Sequence, residues 1–384
     1  MNFNLKPESI GKGGAFNGSY NGSYNGSYNG SYNGSYNGSY NGSYNGSYSG
    51  GIPAPFLSLA LSRSRESTID PQDTGRHCIN ATKFSNEVLD QAEILKNWSP
   101  SVRHALTLPE LLRPIAFEKA NDDLHDSQVL KLGDQNALTL VRPKMAFFQG
   151  QIGDVIEFAQ LREDRGPEIL AQVTETAAFW STILPMHDGK TPATTELLVL
   201  ATDFAKFIEM RFKHEFACPR PVDYSPQVQP MIPTPMHGAF PMGHMCEAAV
   251  VAHILSFLVR KSTAMASTVL QLRRLAWRIG ENRIVAGVHF PVDLLGGLAL
   301  GNWIGEYLLA CAGQSGKKIS GTLTFDAATS TEVQVRQLYM SGSPVCTAPQ
   351  NPSEIEVTEV PFLTDLLARS EKEWKWLVPE KIQL

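Results

Sequence analysis

The stretch Arg283-Ile284-Val285-Ala286-Gly287-Val288-His289-Phe290-Pro291-Val292-Asp293 decides how the rest of the chain is read. A guanidinium stands six positions before an imidazole, and a carboxylate stands four positions after it. Pro291 suits the first turn of a helix, where its missing N–H is no loss. Asp293 is then within one helical turn of His289. There the carboxylate can take the Nδ1–H and leave Nε2 free to attack or to ligate. By itself the pair reads more readily as a buried histidine beside a helix-capping aspartate, so the upstream sequence has to decide.

Upstream, Pro241-Met242-Gly243-His244 opens a helix, GHMCEAAVVAHILSFLVR (243–260), and the start of a helix offers unpaired N–H groups and a positive dipole end. Further back, TELLVLATDFAKFIEMRFKHEF (195–216) has a long helical pattern that delivers Lys213 near its C-terminal end, where cations are favoured. Six residues separate Lys213 from Arg220-Pro221. Lys213, Arg220 and Arg283, the Gly243 amide, His244 and His289 make a set suited to a tetrahedral oxyanion. Arginine forks match such an ion in a bidentate way, and lysine adds a point charge.

In order and in internal spacing these pieces resemble the superfamily joining type 2 phosphatidic acid phosphatases to vanadium haloperoxidases. Its pattern is Lys-x6-Arg-Pro, then Pro-Ser-Gly-His, then Ser-Arg-x5-His-x3-Asp. The resemblance covers roughly residues 200–310 and implies an all-α helical bundle. It implies that His289 is a phosphatase nucleophile or the protein ligand of vanadate, with Asp293 behind it. His244 is the implied acid–base group, and Lys213, Arg220, Arg283 and the Gly243 amide bind the oxyanion. His237 sits where vanadium bromoperoxidases and iodoperoxidases carry a histidine and chloroperoxidases an aromatic, so it is a further candidate. Two positions depart from the pattern. Asn282 replaces the serine before Arg283, and Met242 replaces the serine of Pro-Ser-Gly-His, removing a hydroxyl donor that a thioether cannot supply. Glu247 is expected to orient His244 or to be a solvated helix charge. His214 and His253 are expected to be ordinary helix residues.

Three functions follow from the resemblance. The first is a vanadate-dependent haloperoxidase, with vanadate as cofactor, phosphate competing for its site, and hydrogen peroxide and bromide or iodide as substrates. The long helical half before the motifs and His237 favour it. The second is a phosphatase acting on small phosphate esters through a phosphohistidine, favoured by the string Gly-Val-His-Phe-Pro-Val-Asp. The third, suggested by Met242, is a weakened oxyanion-binding homologue.

The bulk properties bound these readings. The 384 residues carry a net charge of −5, with 42% hydrophobic and 18% charged residues, ordinary for a globular protein and unlike a basic nucleic-acid binder. The five cysteines, Cys78, Cys218, Cys246, Cys311 and Cys346, are scattered and form no Cys-x-x-Cys, which favours free thiols over a zinc site or disulfides. The first residues lack a leader's charged and apolar regions, and the apolar stretch 294–312 is broken by Asn302, Glu306 and several glycines. A cytoplasmic chain without a membrane span, able to pair as a homo-oligomer, is therefore expected. Residues 17–48 are eight copies of Asn-Gly-Ser-Tyr, a polar tract with no apolar face. The expected organisation is a disordered tail over 1–51, a helical domain over 52–315 with its site in 206–297, and a C-terminal extension over 316–384 packing on the bundle. Helices are expected at 85–97, through 101–126, and at 153–163, 168–184, 265–281, 291–310 and 361–374. Residues 222–239 are expected as a long loop, and 322–347 as a hairpin or extended arm.

Overall fold

The computed structural model describes residues 98–119, 126–260, 265–350 and 353–377, together with 59, 62–64, 68 and 95. The expected tail at 1–51, Cys78 and all but Leu95 of the helix expected at 85–97 lie outside the described residues. The chain divides into two compact units, Met1–Arg103 and His104–Leu384. In the first, Arg103 donates to the carbonyls of Leu95 and Trp98. All that follows concerns the second.

The elements run α1 (Pro100–Leu112), β1 (Ile115–Lys119), β2 (Ser127–Leu132), β3 (Gln135–Val141), α2 (Met145–Gly150) and α3 (Ile152–Phe158). Next come α4 (Arg162–Ala171), α5 (Thr176–Ser181), α6 (Pro192–Phe216), α7 (Pro221–Tyr224), α8 (Gly243–Val259), α9 (Ala266–Val285) and α10 (Pro291–Cys311). The chain ends with β4 (Lys318–Ser320), β5 (Leu323–Asp326), α11 (Glu332–Ser341), β6 (Glu354–Glu356) and α12 (Pro361–Glu373).

The all-α expectation needs correction. The protein is mostly helical, but among the described residues β1, β2, β3 and β5 form a four-stranded sheet in that order, and β4 pairs with β6. Helix α1 stops at Leu112, just before Pro114, because the residue before a proline is pushed out of helical geometry. The helix expected through 101–126 therefore gives way to β1. Strands β2 and β3 are antiparallel, with Val129 opposite Thr139, and the link between them is Gly133-Asp134 with Gly133 at φ 57°. That two-residue link, with a glycine at positive φ, is a hairpin signal. The arm expected at 322–347 is instead β5, lying parallel to β3 with Phe325 beside Leu140, followed by α11. Thr331 and Gln334 cap α11 at its start, and Gly342 ends it at φ 81°.

The core is built around α8 and α10, which pack on one another, with α9 and α6 against α8. Both α8 and α10 are apolar on nearly every face, as helices enclosed on all sides must be. Helix α10 is long and apolar enough to cross a membrane by length and composition, and 89% of its apolar window is buried inside the fold. Its glycines set how closely it meets α8. A Cβ at Gly297 would overlap the Met242 carbonyl, and one at Gly301 would overlap the Cys246 carbonyl. Backbone contact there brings the start of α10 beside the start of α8, and Met242 N–H donates to the Asp293 carbonyl at 2.9 Å.

Helix α6 is fixed from the far end of the chain. The Glu373 carboxylate accepts from the N–H groups of Ala193 and Thr194 at 2.8 and 2.9 Å, and from Thr194 Oγ1 at 2.7 Å. An anion at a helix N-terminus is favoured by the dipole and satisfies unpaired donors. The 25-residue helix then carries Lys213 to the site and ends at Ala217, φ 46°.

Candidate active site

Four segments supply the site: the end of α6, the segment 218–242, the start of α8, and the turn between α9 and α10. The His289–Asp293 pair forms as the spacing predicts. His289 Nδ1 lies 3.0 Å from Asp293 Oδ2, which also accepts the Phe290 N–H at 2.9 Å. Asp293 is wholly buried and its Oδ1 has no partner. Burial pushes its carboxyl up to about 7, against the pull of the Phe290 N–H, Arg220 and Lys213.

Arg220 faces the other side of His289. Its Nη1 donates to the Val288 carbonyl at 2.8 Å and stands 2.8 Å from His289 Nε2. An arginine can only donate, so Nε2 is the acceptor and the proton sits on Nδ1, facing Asp293. Burial first, then Arg220, Lys213 and the neighbouring His244 and His237, push the His289 imidazole well below its usual range. It is therefore neutral, with its lone pair on Nε2. The rest of the Arg220 fork is also engaged, Nε on the His237 carbonyl at 3.1 Å and Nη2 on His237 Nδ1 at 3.1 Å and the Gly238 carbonyl at 3.3 Å. All five N–H donors have partners. His237 thus belongs to the site, and burial, with Lys213 and Arg220, lowers its imidazole.

Lys213 is buried at 1% exposure and donates to three backbone carbonyls, Pro241 at 2.5 Å and Gly238 and Ala239 at 3.4 Å. Its charge holds the segment before α8, across the cis Phe240–Pro241 bond, and its three donors are in use. The loop expected at 222–239 contains α7 and a short 3-10 turn at Pro226–Val228. Arg162 clamps it, donating to the carbonyls of Val285, Gln229 and Val228 at 2.8, 2.8 and 3.0 Å.

His244 and Arg283 form a second group, coupled to one another by charge. Burial, then the charges of Arg283 and Lys213, push the His244 imidazole down to about 3. His244 in turn depresses His289, so the two imidazoles feel each other electrostatically. Arg283 is 1% exposed, and its Nη2 donates to the Ile169 carbonyl at 2.9 Å and to Gln172 Oε1 at 3.4 Å. Its Nε and Nη1 are buried without partners. Met242 caps α8 with no side-chain hydrogen bond, and its thioether is fully buried.

The structure therefore brings Lys213, Arg220, His237, His289 and Asp293 into one bonded network, with His244, Gly243 and Arg283 beside it. His214 is exposed on α6, and His253 lies along α10, where a Cβ on Gly305 would overlap its ring. Glu247 makes no hydrogen bond to His244 and is a half-buried helix charge. Its carboxylate stands 3.8 Å from Lys206 across the seam between α6 and α8. Two participants were missed from sequence. Gln172 is fully buried and accepts from Asn282 Nδ2 at 2.9 Å, so Asn282 braces Arg283 instead of merely standing in for serine. Glu209, one turn before Lys213, is buried with Oε2 unpartnered. The four-residue spacing to Lys213 was its only signal.

An unpaired guanidinium edge, a histidine lone pair and the uncapped start of α8 suit a tetrahedral oxyanion, phosphate and vanadate alike. Residues 195–316 match the PAP2 superfamily. Among solved structures, the chain is similar to a transmembrane PAP2-type phosphatidylglycerolphosphate phosphatase from Bacillus subtilis. Identity is 20%, over 42% of this chain and 75% of that one, with a TM-score of 0.25. No curated protein matches the chain.

Proposed function

We propose, from the match of residues 195–316 to the PAP2 superfamily, that the protein is a phosphatase that hydrolyses small phosphate esters through a phosphohistidine on His289. The observation that carries this reading is the tautomer of His289, with Nδ1–H held by Asp293 and the Nε2 lone pair turned to a guanidinium. In the first step Nε2 forms a bond to phosphorus as the ester P–O bond breaks. The imidazolium that results keeps its Nδ1–H on Asp293. His244 takes up a proton from solvent as the phosphate dianion binds and offsets the burial that keeps it neutral, and the departing alkoxide takes that proton. Water then gives that proton back to His244 and attacks the phosphohistidine, releasing inorganic phosphate and restoring Nε2. Arg283 supplies donors to the phosphoryl oxygens. Arg220 moves from His289 to the same oxygens, because a charge-assisted bond to an oxyanion is stronger than a bond to a neutral ring nitrogen. The burial of Pro291–Cys311 within the fold supports action on an ester dissolved in water rather than within a bilayer.

The test is aryl phosphate hydrolysis by the full chain, with acid-quench trapping of phosphate on His289. Hydrolysis without label on His289, or none at any pH, defeats the proposal. Vanadate is expected to inhibit as a phosphate mimic.

The hydrogen bond between His237 and Arg220 favours the haloperoxidase as a second reading. In it His289, Arg220 and Arg283 would hold vanadate, which when bound supplies Lewis-acid activation of hydrogen peroxide. His244 would take the peroxide proton. Bromide or iodide oxidation that appears only after vanadate loading would favour this reading over the phosphatase.

A further inference from the structure

Glu209 is the one acidic group at the oxyanion site for which the reaction above has no use. It lies on α6 one turn before Lys213, is 5% exposed, and leaves Oε2 without a partner. Its carboxyl presses on the first residue of α8, so closely that a Cβ on Gly243 would overlap Oε1. Lys213 does not neutralise it by direct contact, because the ammonium is engaged by the carbonyls of Gly238, Ala239 and Pro241. A carboxylate at this place would repel a phosphate dianion, whereas a carboxylic acid would offer an O–H donor. That donor is what the site lacks, since Met242 stands at the start of α8 where a serine would donate.

Resting on the phosphatase reading, we propose that Glu209 substitutes for the absent serine. As the neutral acid it donates its O–H to the oxyanion at the start of α8, and as the carboxylate it excludes that oxyanion. The groups facing it are Lys213 and Lys206 on its own helix, Glu247 and Cys246 on α8, and Arg220 from the segment before α7. Burial raises the carboxyl and Glu247 raises it further, while Lys213, Lys206 and Arg220 oppose them. The balance favours the acid over an ordinary glutamate. One proton is then bound for each oxyanion bound on the alkaline side, and the anion's charge is partly offset.

Sulfate is the probe, because its charge is constant over the range used. Its affinity for the full chain is measured by calorimetry from pH 5 to 9, in buffers of different ionisation enthalpy so that protons taken up are counted. Wild type is expected to lose affinity toward alkaline pH, approaching tenfold per unit where one proton is coupled. Glu209→Gln keeps the shape and an amide N–H donor, so it should bind sulfate with a much flatter pH profile, His244 supplying the remainder. Glu209→Ala should bind several-fold more weakly than Glu209→Gln at pH 5, and thermal melts check that both fold. A wild-type affinity independent of pH, or a Glu209→Gln profile as steep as wild type, overturns the role of Glu209 and leaves the phosphatase reading standing. Absence of sulfate binding in every variant at every pH overturns both.

Discussion

The two walls of the site are finished to different degrees. On the His289 wall every strong donor has a protein acceptor. Arg220 uses all five N–H groups, Lys213 uses three, and His289 is pinned between Asp293 and Arg220. On the His244 wall, Arg283 holds Nε and Nη1 buried and unpaired, α8 has no side-chain cap, and Met242 brings no hydroxyl. Buried unpaired donors are costly. The orphan on the His289 wall is an acceptor, Asp293 Oδ1, whereas unpaired donors stand only on the His244 wall, which separates the part that aims the nucleophile from the part that a ligand completes.

The largest effect is expected on the finished wall at its centre. His289→Gln removes the Nε2 lone pair, and kcat/KM for an aryl phosphate should fall by about 10³-fold or more, as when a group acting within a unit is lost. Comparable turnover would move the nucleophile elsewhere. Next comes a contrast between the two arginines. Arg283→Gln should weaken inorganic phosphate binding by about 10–100-fold, the range of one or two charge-assisted bonds, at little cost to folding. Arg220→Gln should also cost folding stability, because the carbonyls of Val288, His237 and Gly238 lose their donor. Urea midpoints and phosphate titrations of both variants test this, and equal loss of stability would erase the distinction between the walls. Asp293→Asn should slow turnover by about 10–100-fold, typical of a lost orienting partner.

The same groups set a pH dependence of stability. His244 at about 3 and the strongly depressed His289 have folded values below the unfolded 6.5, so what they contribute is fully present above 6.5 and is lost as pH falls through their folded values. Asp293 at about 7 and Asp203 at about 6 are raised by burial, so their contribution is present below 3.8 and is lost as pH rises through 6 to 7. Stability should therefore peak in the mildly acidic range and decline on both sides, read as urea midpoints from pH 4 to 8. A midpoint that climbs steadily across that range would contradict the burial of these groups.

Much of the helical half was legible because its signals are local. The run 195–216, the start of α8 at Gly243 and Pro291 opening α10 are set by periodicity and by residues within one turn. The motif spacing likewise named the eight residues that the fold brings together. The sheet was misread because β1, β2 and β3 are short strands whose partners only the fold reveals, and β5 pairs with β3 across more than 180 residues. Glu209 and Gln172 were invisible for a related reason. Each matters through a neighbour in another helix, Gly243 in one case and Arg283 with Asn282 in the other, and no spacing along the chain encodes that. Glu247 keeps its place as a part-exposed helix charge, and only its nearness to Lys206 on α6 could not be read along the chain.

The smallest expected effect bears on why Met242 is tolerated. Met242→Ser restores a hydroxyl beside the Gly243 amide, and a hydrogen bond to a charged oxyanion would by itself give more than tenfold in affinity. With Glu209 already donating there the gain should be only about threefold to fivefold in phosphate binding at pH 6. It should grow at pH 8, where the carboxylate form of Glu209 is more populated. The substitution also empties space that a fully buried methionine fills, so the melting temperature should drop, with a cost of about 2–4 kcal/mol for a large-to-small change in a core. Tighter binding together with lower stability would mean that the thioether packs the unfinished wall while another group supplies its donor. A gain above tenfold at every pH would mean that the wall simply lacks one.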